Sequence, residues 1–573
     1  MNDERTTLDA PVLALAEGLA QHARAWSLRS GAGGDVAAAA ADAARAVSLA
    51  LAGGHVCVTL VDLDASDAPA GIDRLRRTLL ASGVVGTDDA PGAMPLVLDA
   101  DGRLYLHRYF DYERRLARRV LLAARASAPG ITAAQRDALR AQLATLFAAN
   151  PNQPGDALDW QKIATALALR GRLAVISGGP GTGKTTTVVN LLACLIAQQP
   201  GCRIALAAPT GKAAARMSEA IRERAAHLPP VIREQLPSDA STIHRLLGVT
   251  PSGFVHHAGR RLAIDALVID EASMLDTQLM AALLDAMPAD AALLLVGDVD
   301  QLPSIGPGQV LADLIGSGAV PVVRLSEIFR QAAESGIVRN AHRINHGELP
   351  AFARAEDGPA DCYGIRVTSP EDAEAKLLDL VLRRIPERFG LDPLSEVQVL
   401  TPVNRGRLGT LALNELLQAE LNPDPPLALP HGQGRLALGD RVMQLENDHE
   451  REVYNGDVGR VTGMDPKART VEVTIDGRAL SYAADELDRL ALAYAVTVHK
   501  AQGSEYPAVV LPLLRQHGRM LRRNLLYTAL TRAQRLVVLL TEPDALERAV
   551  RDTSDLRRRT LLRQRLTSPE PHP

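Results

Sequence analysis

The chain has 573 residues, 47% of them hydrophobic, and a formal net charge of −4. At ~100–200 residues per domain this predicts three or four domains, each able to fill a core. The balance of charge excludes a uniformly basic nucleic-acid binder, so any positive track is local or shared with partner subunits. No apolar run reaches the ~18 residues of a membrane span. The opening MNDERTTLDA lacks a basic stretch followed by an apolar one, so no secretory signal and no membrane partner are expected. Cys57, Cys194, Cys202 and Cys362 are scattered, with no C-x-x-C pair, which predicts neither a zinc site nor disulfides and fits a cytoplasmic protein.

Residues 1–155 form the first block, mainly helical and Ala-rich, as in Asp35 to Ala52. GGHVCVTL, from Gly53, reads as a turn and strand. LYLHRYFDYERRLARRV, from Leu104 to Val120, opens as a strand and becomes a helix with arginine on several faces. Its aromatic residues Tyr105, Tyr109, Phe110 and Tyr112 allow two readings, a stacking platform for bases or a packing cluster. The block holds no catalytic constellation, so docking is its expected role. PNQPG, at Pro151 to Gly155, marks a boundary.

The second block, residues 156–350, carries the chemistry. LAVISGGPGTGKTTTVVN, from Leu173, is a short apolar strand, a glycine-rich loop and a helix. Gly178, Gly179, Pro180, Gly181, Thr182, Gly183, Lys184, Thr185 and Thr186 make a G-x-x-x-x-G-K-[ST] phosphate loop with every position matched. Glycines let backbone N–H groups close around phosphate oxygens, and the helix start adds positive partial charge. Lys184 can reach the β- and γ-phosphates of ATP, and the Thr185 hydroxyl can ligate Mg²⁺. Upstream, Gln161 is placed either to bond an adenine edge or simply to sit on the surface. Downstream, RIALAAP reads as a second strand ending at Thr210, Gly211 and Lys212, and TIHRLL starts a helix after Ser241. Residues 248–264 read as a hairpin with a basic tip.

ALVIDEAS, from Ala266, is a buried strand with Asp270 and Glu271 at its carboxyl end, the edge where open α/β sheets bind ligands. Beside a phosphate loop these read as a Walker B pair, with Asp270 serving Mg²⁺ and Glu271 the attacking water. ALLLVGDVDQLPSIGPG puts Gln301 where a γ-phosphate sensor would sit, with Asp298 and Asp300 shaping the turn. In VVRLSEIFRQ a strand precedes Arg330, which could stabilise charge on the transferred phosphoryl group.

The third block, residues 351–573, repeats the α/β signals. EVQVLTPVN ends in Thr401 and Asn404, and a helix follows. Short strands with Asn455-Gly456 and Asp476-Gly477 turns predict a small β-barrel inserted at about 431–490. AYAVTVHKAQGSEYPAVVL then supplies a polar cluster with Thr497, His499, Lys500, Gln502 and Glu505. NLLYTALTRAQRLVVLL places Arg532 between a helix and the last strand. The tail SPEPHP is expected to be disordered.

In order, GGPGTGKT, APTGKAAARM, TIHRLLG, VIDEASM, GDVDQLPSIGPG, LSEIFRQ, TPVNRG, VTVHKAQGSE and YTALTRA resemble the successive motifs of superfamily 1 DNA helicases. Within them the chain is similar to the RecD family, the alpha subunit of exodeoxyribonuclease V, over roughly Asp159 to Leu540. The resemblance implies two RecA-like P-loop NTPase domains with ATP and Mg²⁺ between them, moving 5′→3′ on single-stranded DNA, and an SH3-like barrel. It implies Arg330 and Arg532 as the arginines that reach ATP, Gln161 as the adenine reader, and Glu505 as a further nucleotide contact. Thr210, Lys212, His244, Thr401, Asn404, Thr497 and His499 would line the DNA track. It further implies RecB-like and RecC-like subunits in a heterotrimer acting on double-strand DNA ends in recombinational repair. The first block would dock on the gamma subunit and DNA cleavage would fall to a partner, since no nuclease-like Asp/Glu/Lys cluster stands here. Stand-alone relatives carry a longer N-terminal extension, so the heterotrimer is expected, with a stand-alone helicase as the alternative.

Overall fold

The structure is a computed structural model that describes residues 10–64, 69–126, 133–147, 159–251, 253–325, 335–353, 360–432, 434–448, 450–554 and 557–568. The near-continuous apolar runs become parallel strands covered on both faces, as such runs must be if neither face is to meet water. The first sheet runs, in spatial order, Val322–Leu325, Leu173–Gly178, Ala292–Gly297, Ala266–Ile269, Ile204–Ala208 and Ser241–Thr242, all parallel. The second runs Cys362–Arg366, Ala533–Thr541, Tyr506–Leu513, Val397–Thr401 and Ala495–Thr497, also all parallel. In both, the loops with the polar motif residues leave the carboxyl ends of strands, where an open parallel sheet offers its binding edge.

Between Val397–Thr401 and the strand Ala495–Thr497 an antiparallel unit is inserted. Its sheet order is Arg478–Tyr482, Thr470–Ile475, Val458–Asp465, Arg441–Gln444 and Leu490–Leu492. It closes over its own core of Val442, Val461, Val471, Val473 and Tyr482. Asp476 and Gly477 both take positive φ, 48° and 77°, as the tight hairpin there requires.

The N-terminal unit is richer in strand than its composition suggests. Cys57–Thr59, Arg103–Leu106, Leu96–Leu98 and Val85–Thr87 form one sheet. Cys57–Thr59 and Arg103–Leu106 fall in the stretches read as strands, whereas Val85–Thr87 and Leu96–Leu98, of three residues each, carry too little alternation to be read from sequence. The aromatic question resolves toward packing. Tyr105 is fully buried and Phe110 nearly so, their rings edge-on at 5.7 Å. The arginines of the helix His107–Arg125 grip this chain's own first-sheet half: Arg115 pairs with Asp285, and Arg119 donates to the carbonyls of Leu284 and Met287 at 2.8 and 2.9 Å. Those carbonyls end the helix Thr277–Ala286, where a cation is favoured. The boundary expected at Pro151 to Gly155 lies outside the described residues, as do residues 569–573 of the tail. No helix among the described residues is long and apolar enough to cross a membrane.

After the second sheet the chain returns to the first half. Arg558 donates to the carbonyls of Ser304, Gly306 and Gly308 at 2.6, 2.8 and 2.7 Å. Arg559 pairs with Asp62 at 2.7 Å, and its carbonyl accepts the Val56 N–H at 2.8 Å. Leu562 and Leu566 enter the core under the first sheet. Glu113, fully buried, accepts the Leu561 N–H at 3.2 Å. Loss of water pushes its carboxyl up from 4.5 to about 8, with Asp313 adding to the rise and Arg565 and the Leu561 and Leu562 amides opposing it.

A carboxyl raised in the folded state keeps a proton that the unfolded chain has released between 4.5 and about 8, so stability falls as pH climbs through that window. Glu113→Gln removes this loss. Thermal denaturation should find the variant no more stable than wild type at about pH 5 and clearly more stable at about pH 8.5. A difference that does not change with pH would contradict the assignment.

Candidate functional site

The phosphate loop follows the strand Leu173–Gly178 and opens the fifteen-residue helix Lys184–Gln198. Gly183 caps that helix at φ 76° and ψ 29°, a left-handed turn that a side chain would strain and that aims backbone N–H groups into the bend. Lys184 Nζ lies across the loop, donating to the carbonyls of Gly178 and Gly179 at 2.6 and 3.0 Å. Thr182 Oγ1 donates to the Gly179 carbonyl at 2.9 Å. Gln161 braces the same loop, its amide donating to the Thr182 and Gly183 carbonyls at 3.0 and 3.4 Å.

Asp270 and Glu271 leave the neighbouring strand Ala266–Ile269. Glu271 has φ 51°, one of few non-glycine residues in the left-handed region, and its N–H donates to Asp270 Oδ1 at 2.8 Å. Such a backbone costs about 1 kcal/mol and persists where the surroundings over-determine it, often at functional sites. Burial in the cleft raises both carboxyls above the usual range. Lys184 and Arg216 pull both back, and Arg532 acts most strongly on Glu271. Thr185 and Asp270 are hard oxygen donors of the kind Mg²⁺ takes together with phosphate oxygens and water. Among the described residues no cluster of three or more His, Cys, Asp or Glu could hold a metal on its own. The residues present therefore fit an Mg²⁺ that arrives with a phosphate.

The second sheet supplies the facing wall. Arg532 is 3% exposed and held by the Thr528 and Ser504 carbonyls, both at 3.2 Å. Glu505 pairs with Arg216 of the opposite half at 2.6 Å and accepts from Gln534 at 3.2 Å. Partial loss of water would raise the Glu505 carboxyl, but Arg216 and Gln534 hold it below its ordinary value. Arg216 also donates to the Gly503 carbonyl at 3.2 Å. The two walls enclose a cleft of about 1000 Å³ lined by Gln161, the loop, Asp270, Glu271, Gln301, Glu505 and Arg532. Residues that sequence reading placed in one site thus meet in one space. Arg330 lies outside the described residues. Arg216 was not singled out from sequence, although it sits in APTGKAAARM, because nothing local shows that its partner is almost three hundred residues away.

The residues read as a strand track divide. Thr210 caps the helix Gly211–Ala225, accepting the Ala213 N–H at 3.3 Å. Lys212 Nζ stands 5.3 Å from the centre of the Tyr506 ring across the halves. The His244 ring packs 6.1 Å from Phe254 of the small hairpin, whose strands are Val249–Thr250 and Gly253–Phe254. Thr497 accepts the Lys500 N–H at 3.3 Å. Burial, then Arg522 and Arg558, lower the His499 pKa. Asn404 is exposed and accepts from Thr410 at 3.1 Å. Thr401 stands apart: it is fully buried and its hydroxyl donates to the Leu408 carbonyl at 2.6 Å. Its side chain closes the turn behind the strand and offers nothing to a ligand. Gly211 admits no side chain, since a Cβ there would fall 2.1 Å from the Tyr454 ring of the inserted unit.

Three family models match the chain: an AAA domain over 161–307, an ATP-dependent RecD-like DNA helicase SH3 domain over 413–475, and a UvrD-like helicase C-terminal domain over 492–540. The RecBCD enzyme subunit RecD of Mycolicibacterium smegmatis is 35% identical over 540 residues, covering 89% of this chain and 91% of the relative. The ATP-dependent RecD2 DNA helicase of Deinococcus radiodurans is 37% identical over 463 residues, covering 80% of this chain but only 58% of the relative. Among solved structures, a Pif1 helicase from Bacteroides in complex with ADP-AlF3 and ssDNA aligns at 19% identity and a TM-score of 0.40, covering 75% of this chain and 96% of that one.

The Arg216–Glu505 pair spans the cleft, so its two ends should act as a unit. In steady-state nucleotide hydrolysis by Arg216→Ala, Glu505→Ala and the double variant, the cycle should show coupling of about 1 kcal/mol, or roughly fivefold in turnover. Strict additivity would show that the pair does not couple the walls.

Proposed function

The chain belongs to the RecD family of ATP-dependent DNA helicases, and on that premise we propose that it is the 5′→3′ motor subunit of a heterotrimeric helicase–nuclease of the exodeoxyribonuclease V kind. Its substrates are ATP and DNA, its setting the cytoplasm, and its task the processing of double-strand DNA ends in recombinational repair. One observation carries the motor reading: phosphate loop, Asp270, Glu271 and Gln301 on one sheet face Arg532 and Glu505 on the other across a single cleft.

In this reading Lys184 and the loop amides hold the β- and γ-phosphates, and Gln161 meets the adenine edge. Thr185 and Asp270 would hold Mg²⁺, which supplies charge neutralisation at the phosphates when bound. Glu271 orients the attacking water and takes its proton; a carboxyl raised by burial is better matched to that task near neutral pH. Gln301 and Arg532, with Arg330, contact the γ-phosphoryl group from both sides, so its loss frees the two sheets to part. Thr210, Lys212 and His244 on one half, and Asn404, Thr497 and His499 on the other, grip the strand in turn. Grip by hydroxyls and backbone is largely independent of sequence.

The heterotrimer is supported by the alignment with the Mycolicibacterium RecD subunit, which runs through 89% of this chain. It is also supported by an apolar groove of about 540 Å³ on the N-terminal unit, lined by Leu15, Leu19, Trp26, Leu51 and Leu106. Leu15 is 71% exposed and Trp26 38%, the kind of surface that marks a docking face. RecB-like and RecC-like subunits are the partners proposed, the nuclease belonging to one of them. The higher identity to the Deinococcus RecD2 helicase, 37%, favours a stand-alone helicase as the second reading.

Lys184→Gln should lower DNA-stimulated ATP hydrolysis by about 100-fold or more; an unimpaired variant would end the motor reading. Duplexes with a 5′ tail should be unwound and those with a 3′ tail should not. Purification of the untagged chain from its own cell decides the assembly: two larger subunits should accompany it, and a lone active chain would leave the stand-alone reading.

A further inference from the structure

The loop that carries Gln301 leaves the first sheet but is built into the second. Leu302, 1% exposed, lies in the second sheet's core with Ile337, Val498, Leu525 and Leu526. Its N–H donates to Thr528 Oγ1 at 2.9 Å and its carbonyl accepts the Gln502 amide at 3.2 Å. Asp298, also 1% exposed, accepts the Tyr527 hydroxyl on Oδ2 at 2.7 Å. The same oxygen accepts the Gln301 amide at 3.3 Å, while Oδ1 accepts the Asp300 N–H at 3.1 Å. Tyr527 and Thr528 are consecutive on the helix Arg523–Leu530, and the Thr528 carbonyl also accepts Arg532 Nε at 3.2 Å. The Tyr527 hydroxyl stands 3.0 Å from where a Cβ on Gly179 of the phosphate loop would lie.

One short helix therefore holds both groups that face the reacting phosphate, Arg532 directly and Gln301 through Asp298. We propose that Tyr527 is a positioning residue for ATP hydrolysis, setting the Gln301 amide in register with Arg532 through its hydrogen bond to Asp298. This deepens the motor reading above and rests on it. The chemistry favours a relay over simple packing. A buried carboxylate needs strong donors, and the phenol O–H is the shortest of those described on Asp298. If that hydroxyl is lost, Asp298 is left short of a donor and pulls the Gln301 amide, which it already accepts at 3.3 Å, out of its set position.

The test uses the full-length chain with saturating single-stranded DNA. Tyr527→Phe keeps the ring and removes only the hydroxyl. It should lower kcat for ATP hydrolysis about tenfold, with KM for ATP and the affinities for ADP and DNA within about twofold. Retention of ADP–aluminium fluoride should fall in step with kcat. Adding Asp298→Asn, which removes the stranded charge and leaves an acceptor for Gln301, should restore part of the rate. Wild-type kcat in Tyr527→Phe overturns the inference, as does a parallel loss of kcat, ATP affinity, DNA affinity and Tm. If Tyr527→Phe does not fold, Asp298→Ala removes the same bond from its acceptor side, and an unchanged kcat there also overturns it. If instead Lys184→Gln hydrolyses ATP normally, the motor reading itself has failed, a result distinct from failure of the relay alone.

Discussion

Leu302 is where the two halves of the molecule become one machine. An apolar side chain from a loop of the nucleotide-binding sheet is buried among residues of the other sheet, a contact of ~1.5–3 kcal/mol by itself. Its backbone is then pinned on both sides, by Thr528 and by Gln502. Because the same loop carries Asp298 and Gln301, the placing of these side chains is tied to the packing between halves. A cleft whose walls belong to separate sheets would otherwise open and close without consequence for its chemistry. Here the loop with Gln301 is fixed by the same contact that joins the two halves.

Charge balance in that cleft follows from the same closeness. Asp270 and Glu271 are half-buried in the cleft, and the water they have lost raises both carboxyls. Lys184 and Arg216 come from their own half, Arg532 from the other, and together they offset that rise. Arg216 is divided between these acids and Glu505, which it meets at 2.6 Å. The helix it stands on starts at Thr210 and Lys212, at the proposed strand track, so one rigid element touches both events the motor must link.

The ends of the described chain reinforce this arrangement. The segment from Arg558 to Leu566 leaves the second half and fastens to the first. Arg558 draws together the carbonyls of Ser304, Gly306 and Gly308, which continue the Gln301 loop. Arg559 carries the connection on to Asp62 of the N-terminal unit. The sensor loop is thus anchored to the second sheet at Leu302 and to the N-terminal unit a few residues later.

Much of this was legible in the residues. The phosphate loop, the acidic pair and the strands that carry them depend on local chemistry, on glycine's freedom at Gly183 and on apolar runs that can only be buried. The parallel sheets, the antiparallel insertion and the positions of Lys184, Asp270, Glu271, Gln301 and Arg532 were therefore written in short stretches. What the sequence could not carry was distance. The partners Arg216 and Glu505, Asp298 and Tyr527, and Arg558 and Gly306 are separated by hundreds of positions and share no local signal. Thr401 shows the reverse error, a motif threonine whose hydroxyl is spent inside the turn it closes. By itself the sequence marked the groups proposed to bind and cleave a nucleotide, because they lie in contiguous loops. Only the tertiary structure brought them to one cleft, because the wall with Arg532 and Glu505 faces the phosphate loop only once the two separate sheets have packed together.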